Sequence, residues 1–339
     1  MVTCEWPTPD LPRQVPFVVR QVEFLRKAGV DVDVFFFRGS KNPLKYLRAW
    51  WNVHRKLRNE SYDLVHAQWG QSAVPVLPTR LPLVVSFRGG EVDGIVGDDG
   101  RYTLWGRALQ VIGWHMARRA DQLVLVSAHI ARLLPKRPVH VIPSGLDFSK
   151  LVLVPKAEAR RQLDLPQGKR LVLFAGDPAE ARKRYALASD VVSRLDPALG
   201  AQLVVAWKVP HEKIHLYMNA CDALLFVSMY EGSPNVVKEA LACNLPVVSV
   251  DVGDVAERLE GIAGCVLSTS DDPDDLATAL DGVLRADRRT ESRLAVAELD
   301  ENRLAQRMIR IYNIAISRPG RNHETITYRA NDVSRDTQV

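Results

Sequence analysis

Short apolar runs alternate with longer amphipathic stretches over most of the 339 residues. In the first half, runs at 32–37, 63–66, 83–87, 122–126 and 139–142 read as strands, and stretches at 15–28, 43–58, 102–119 and 128–134 read as helices. The runs are nearly continuous, the pattern of parallel strands covered on both faces. Strand and helix in strict turn make βαβ units and a doubly wound sheet. Around residues 146–169 the rhythm breaks into a charge-rich segment with one helical patch at 156–163. It then restarts, with strands at 171–175, 202–206, 223–227, 246–250 and 264–267 and helices at 181–193, 211–220, 234–243, 255–259, 273–284 and 291–316. The pattern predicts an α/β protein of two Rossmann-like domains, residues 1–145 and 170–316, joined by a linker over 146–169 and facing a central cleft. The tail, 317–339, is polar and unpatterned and is expected to be disordered. Only four residues precede the turn Glu5-Trp6-Pro7, so the first strand is expected to be short, or the natural start to lie upstream.

Composition narrows the classes. A chain that is 47% hydrophobic and 25% charged can fill two ordinary cores. Its net charge of +5 suits phosphate-bearing ligands or an anionic membrane surface. Nucleic acid is not expected, because no zinc-finger or helix-turn-helix signature accompanies the charge. Cys4, Cys221, Cys243 and Cys265 are scattered, without the spacing of a disulfide scaffold or a zinc site. Reduced thiols, the lack of an apolar run near ~20 residues and the lack of a leader pattern point to the cytoplasm, with peripheral contact at the inner face of the membrane left open. The stretch 43–58 bears on that contact. Lys45, Arg48, Trp50, Trp51, His54, Arg55, Lys56 and Arg58 suit an anionic membrane, whereas Leu44, Leu47, Trp51 and Leu57 at helical spacing would equally suit a helix covering the sheet.

The chemistry concentrates in residues 230–239. Ser233 is a good N-cap and Pro234 fits the first helical position, so a helix should open there. The amides of Asn235 and Val236, with the loop at Gly232, would then present the positive end of a helix dipole to an anion. Glu231 precedes that helix. Glu239 lies inside it, on the face of Asn235. Two such carboxylates could be the acid and base of a glycosidase, or could grip different parts of one extended ligand. A second anion site is expected after Ala175, where Gly176 is followed by Arg182, Lys183 and Arg184; loop amides and a lysine would clamp a diphosphate. In the first half, Arg13, Gln14, His66, Trp69 and Arg88 fall near the carboxyl ends of predicted strands, where open α/β sheets bind ligands. His66 could instead be a satisfied core histidine. Arg88 is open to three roles: pairing with Glu91, meeting a phosphate, or meeting an acidic acceptor.

Taken together, Tyr230-Glu231-Gly232-Ser233-Pro234-Asn235-Val236-Val237-Lys238-Glu239, the later Glu239-Ala240-Leu241-Ala242-Cys243-Asn244-Leu245-Pro246, Asp251-Val252-Gly253-Asp254 and the earlier Ile142-Pro143-Ser144-Gly145-Leu146-Asp147 resemble retaining glycosyltransferase family 4, with its two-Rossmann GT-B fold and E-x7-E signature. The resemblance covers roughly residues 2–316 and is closer in the second half. It implies a hexosyltransferase-type enzyme with a nucleotide diphosphate sugar as donor, UDP or GDP first among the bases. A glycan or lipid-linked acceptor would bind in the first domain near Arg13, Gln14, His66 and Trp69. It further implies that Glu231 touches the donor sugar, that Glu239 binds the ribose, and that Lys183 with Arg184 or Arg182 neutralises the leaving diphosphate, without a metal or other cofactor. Two positions depart from the family pattern: Asp177 stands where arginine is common, and Arg88 where histidine is common. A sugar-nucleotide epimerase of related fold and a non-catalytic binding relative remain alternatives. A dinucleotide dehydrogenase is not expected, since no G-x-G-x-x-G follows a strand opening a helix.

Overall fold

The apolar runs pair as two separate all-parallel sheets in the computed structural model, which describes residues 1–11, 14–39, 42–95 and 103–317. Strands β1 (Val2–Thr3), β2 (Phe35–Phe36), β3 (Val65–Gln68), β4 (Leu83–Phe87), β5 (Gln122–Leu125) and β6 (His140–Val141) form the first, in the order β2-β1-β3-β4-β5-β6. Strands β7 (Arg170–Ala175), β8 (Ala201–Ala206), β9 (Ala223–Phe226), β10 (Val247–Val250) and β11 (Val266–Ser268) form the second, in the order β11-β10-β9-β7-β8. β4, β5, β9 and β10 are buried along their whole length, as strands covered on both faces must be. In each sheet the chain reverses its direction of travel beside the first strand, between β1 and β3 and between β7 and β9. Crevices at such reversals are where open α/β sheets take ligands.

Helices α1 (Pro16–Lys27), α2 (Pro43–Asn59), α3 (Gly70–Ala73), α4 (Gly90–Asp93) and α5 (Leu104–Arg119) accompany the first sheet. Helices α6 (Lys156–Gln162), α7 (Tyr185–Ser193), α8 (Ile214–Ala220), α9 (Asn235–Ala242), α10 (Val255–Leu259) and α11 (Pro273–Ala286) accompany the second. Helix α12 (Glu301–Ile316) ends the described chain. The tail expected to be disordered lies outside the described residues, apart from Ser317.

Three segments differ from the sequence pattern. Residues 128–133 form a 3-10 helix. The helix expected over 181–193 is broken at Arg184, whose φ of 56° is left-handed; a 3-10 turn at 181–183 precedes the break and α7 follows it. The helix expected over 291–316 begins only at Glu301, where the Asp300 carboxylate accepts from the amides of Asn302 and Arg303. Its start is set by a crossing between domains. Leu146 donates to Leu299 O at 2.8 Å and Glu301 donates to Leu146 O at 3.0 Å, so the outgoing and returning strands of chain run side by side. After returning, α12 packs Leu304, Met308, Ile309 and Tyr312 against Val22, Leu25, Val84 and Val124 of the first domain. The last helix therefore closes the first domain's core, although the order along the chain groups it with residues 170–316.

Candidate active site

The carboxyl ends of the two sheets face one cleft. A cavity of about 540 Å³ is lined from the first domain by Glu5, Phe17, Trp69, Arg88 and Glu91 and from the second by Lys183 and residues 231–236. A second cleft of about 690 Å³ adjoins it, lined by Gln14, Arg20, His211 and Glu239 among others. The two share Ala175, Asn235 and Val236, so one extended ligand could pass from one to the other along the start of α9.

That start is built differently from the expectation. α9 opens at Asn235 with Pro234 in the capping position and no side-chain cap. The Ser233 hydroxyl donates to Asp254 Oδ2 at 2.8 Å and accepts from Lys238 Nζ at 3.1 Å, and so does not cap the helix. The first amides of α9 are thus left facing the cleft, the arrangement that attracts an anion. Asn235 Oδ1 is buried there and has no hydrogen-bond partner. Gly232 brings the two domains into contact: a Cβ at this position would lie 2.1 Å from the Arg88 carbonyl oxygen, and Ser127 Oγ donates to Gly232 O at 2.9 Å. Only a glycine lets the loop after β9 lie against the loop after β4.

Beside the helix start, Glu231 Oε1 is held by Lys183 Nζ and by Arg182 Nη1, each at 2.5 Å. Both cations lie in the 3-10 turn at 181–183, just before the left-handed Arg184. Arg184 pairs with Asp271 at 2.7 Å, and Arg182 bridges Glu180 and Glu231, each at 2.5 Å; of the three expected cations only Lys183 lines the cleft. Gly176 also serves otherwise than expected. Its amide donates to Ala206 O at 3.2 Å, and a Cβ here would touch the Lys183 stem at 3.4 Å. The glycine therefore lies beside the lysine stem and leaves no free loop amide of its own. Glu239 is buried in the second cleft, with His211 Nε2 at 4.0 Å from its carboxylate.

In the first domain, Trp69 and Gln14 reach the site, and Arg13 lies outside the described residues. His66 does not reach it. The ring is 2% exposed and bonded through Nδ1 to the Tyr312 hydroxyl and through Nε2 to Ser86 Oγ, each at 2.7 Å. Burial holds its pKa well below the ordinary histidine range. It is a core residue that ties β3 and β4 to α12. The Arg88 side chain does not pair with Glu91; Glu91 Oε1 accepts the Arg88 backbone N–H at 2.7 Å.

Sequence reasoning missed three groups. Lys238 is fully buried, donates to Ser144 O at 3.0 Å, and has its pKa pulled down to about 7 by burial. It joins α9 to the interdomain crossing, and its one signal is a lysine set among the apolar residues of a short helix. Arg20 donates to Gly145 O at 2.7 Å and meets His211 Nε2 at 3.0 Å, linking α1 to the second domain. Glu301 lies 3.7 Å from Arg20 and is raised to about 7 by burial. The last two contacts join residues more than a hundred positions apart, so no local pattern marks them.

Two parallel α/β domains that meet across one cleft define the GT-B architecture. Comparison with known proteins agrees: residues 2–150 match the family model Glycosyltransferase Family 4, and residues 158–286 match Glycosyl transferases group 1. Each half of the chain thus belongs to a glycosyltransferase family by its own model. A Bacillus subtilis (strain 168) protein named as the teichuronic acid biosynthesis glycosyltransferase TuaC is 26% identical over 270 residues, which make up 69% of this chain and 66% of that protein. The D-inositol 3-phosphate glycosyltransferase of Mycolicibacterium gilvum (strain PYR-GCK) is 31% identical over 212 residues, 52% of this chain and 47% of the relative. The chain thus spans about half to two thirds of the length of these relatives. Among solved structures, sucrose-phosphate synthase of Thermosynechococcus elongatus superposes with a TM-score of 0.74 at 20% identity, over 87% of this chain and 92% of that one. Anabaena Alr3699/HepE in complex with UDP gives 0.63 at 18% identity, over 86% and 88%. At these identities the likeness concerns the fold.

Proposed function

We propose that the protein is a retaining glycosyltransferase that moves a sugar from a nucleotide diphosphate donor to a hydroxyl of a glycan or lipid-linked acceptor, without a metal. The observation that carries the reading is the continuity of the two clefts along the start of α9, with cations and acids at distinct points. In this reading the diphosphate rests between the Asn235 and Val236 amides and Lys183, with Arg182 beside it. The sugar lies in the 540 Å³ cavity against Glu231 and Gly232, and the ribose reaches Glu239 in the adjoining cleft. The acceptor enters along Gln14 and Trp69. That Anabaena Alr3699/HepE was solved with UDP-glucose supports a donor of this kind.

The chemistry follows from charge placement. The bond from sugar C1 to the diphosphate oxygen breaks as the bond from C1 to the acceptor oxygen forms on the same face, and the acceptor hydroxyl proton passes to a departing phosphate oxygen. Lys183, Arg182 and the helix amides stabilise the negative charge that develops on the phosphate, as preorganised donors do in a site that excludes water. Glu231 is held by two cations, so it can accept bonds from sugar hydroxyls or steady a positive C1 without serving as a nucleophile. A thermal-shift screen over UDP-, GDP- and ADP-sugars identifies the donor, and proton NMR of the transfer product then reads the anomer. The expected product keeps the donor's anomeric configuration, at a rate unchanged by EDTA. An inverted product, or loss of transfer on chelation, would overturn the reading.

Helix α2 supports a lipid-linked acceptor. Tyr46, Ala49, Val53 and Leu57 cover the sheet, leaving Leu44, Leu47 and Trp51 at 69%, 62% and 57% exposed. The helix carries Lys45, Arg48, Arg55, Lys56 and Arg58 and no acidic residue. An exposed apolar stripe edged by cations fits an anionic bilayer surface. Among the described residues no helix is long and apolar enough to cross a membrane, so contact would be peripheral. The variant Leu47→Glu with Trp51→Glu is expected to lower binding to phosphatidylglycerol vesicles by roughly tenfold or more, from lost apolar burial and added repulsion. Equal sedimentation of variant and parent protein with the vesicles would refute this surface.

A further inference from the structure

Among the described residues two cations line the 540 Å³ cavity, and one of them is neutralised while the other is not. Lys183 is paired with Glu231. Among the described residues Arg88, just after β4, directs its guanidinium only to neutral oxygens. Nε and Nη2 donate to Gln68 Oε1 at 3.1 and 2.7 Å, Nη2 to Gln21 Oε1 at 3.2 Å, and Nη1 to Ser144 Oγ at 3.0 Å. The rings of Phe17 and Trp69, which line the same cavity, stand 4.7 and 5.9 Å from the guanidinium carbon. The acids that act on Arg88 from a distance are engaged elsewhere: Glu91 accepts a backbone N–H and Glu301 faces Arg20. Burial draws the Arg88 pKa down to about 10, a sign that its charge is not matched locally.

Neutral amide and hydroxyl partners fix the orientation of a guanidinium without cancelling its charge. A cation taken out of water in this way gains most from an oxyanion that arrives with the ligand. The diphosphate is already met from the second domain, by Lys183, Arg182 and the α9 amides, whereas Arg88 belongs to the first. Building on the glycosyltransferase reading, we infer that Arg88 determines specificity for an acidic sugar, receiving a carboxylate or phosphate ester carried by the sugar itself, on the donor or on the acceptor. The aromatic rings and the Gln68 carbonyl hold the fork in place for that group, and a neutral sugar would leave the arginine uncompensated.

Calorimetry with the full chain separates the cases. One arm compares UDP-glucuronate with UDP-glucose, or GDP-mannuronate with GDP-mannose if the screen selects guanine. The second arm saturates the protein with UDP or GDP and follows glucuronate, glucose 6-phosphate and glucose by saturation-transfer NMR. In at least one arm the acidic sugar is expected to bind roughly ten- to a hundredfold tighter than the neutral one, as charge-assisted bonds predict. Arg88→Met should erase that preference while leaving UDP or GDP affinity unchanged. Gln68→Glu, which places a carboxylate against the guanidinium, should erase it with Arg88 still present, so a folding defect in one variant does not decide the matter. Equal binding of acidic and neutral sugars in both arms overturns the inference. So does an Arg88→Met variant that weakens the bare nucleotide as much as the acidic sugar, since Arg88 would then be a diphosphate contact. Failure of any nucleotide to bind defeats the glycosyltransferase reading and this inference with it; nucleotide binding without acid preference defeats this inference alone.

Discussion

Replacing Glu231 by alanine is expected to cut sugar transfer by about 10²- to 10³-fold in kcat while nucleotide diphosphate binding is kept or tightened. The opposite signs follow from the ion pairs seen without ligand. Lys183 and Arg182 both rest on Glu231 Oε1 at 2.5 Å, so an incoming diphosphate must compete with that carboxylate for them. Alanine frees Lys183 for phosphate and leaves Arg182 with Glu180 as its one remaining carboxylate, so affinity for UDP or GDP should rise or hold. It also removes the acid that faces the sugar, and with it the contact that orients C1 and steadies positive charge there. The fold should survive, because Glu231 lies in a loop at the mouth of the cavity and contributes nothing to the apolar core of the second domain. Steady-state transfer kinetics and calorimetry with the free nucleotide read the two effects separately. Unchanged kcat, or a loss of affinity equal to the loss of rate, would show that the carboxylate is structural.

Much of this arrangement could be read along the chain, because its determinants are local. A parallel strand buried on both faces must be a nearly unbroken apolar run, so Leu83–Phe87 is placed residue for residue. The helix expected over 234–243 is likewise found at Asn235–Ala242. What escaped depends on contacts between distant residues. His66 looks like a site residue because it ends a strand, yet Tyr312 reaches back from α12 and closes it into the core. Arg184 looks like a clamp residue because it sits in a basic run, yet it is paired with Asp271, 87 positions on. Ser233 looks like a cap, but Asp254, 21 positions on, takes its hydroxyl. The outward face of α2 was equally ambiguous. Helical spacing groups Leu44, Leu47, Trp51 and Leu57 into one stripe, and only the packed sheet shows that Leu57 is covered while the other three stay exposed.

Lys183→Ala should do the reverse of Glu231→Ala: it should weaken nucleotide diphosphate binding by about 10- to 100-fold, the usual range for one charge-assisted contact to phosphate. The stem of Lys183 lies against Gly176, which fixes the ammonium at the cavity mouth with little freedom, so the contact is prepared before the donor arrives. Transfer should fall further than binding, because the charge on the departing diphosphate is greater in the transition state than in the bound donor. Arg182 shares Glu231 with Lys183 and should supply part of the missing charge, which keeps the loss of binding at the lower end. In the double variant Glu231→Ala, Lys183→Ala, the gain in affinity from removing the competing carboxylate should shrink, leaving only the part due to Arg182. A double-mutant cycle on nucleotide affinity, read by calorimetry at fixed ionic strength, measures this coupling directly. Strict additivity of the two changes would mean that the lysine and the glutamate do not compete for the same place, and the diphosphate would have to be sought elsewhere in the cleft.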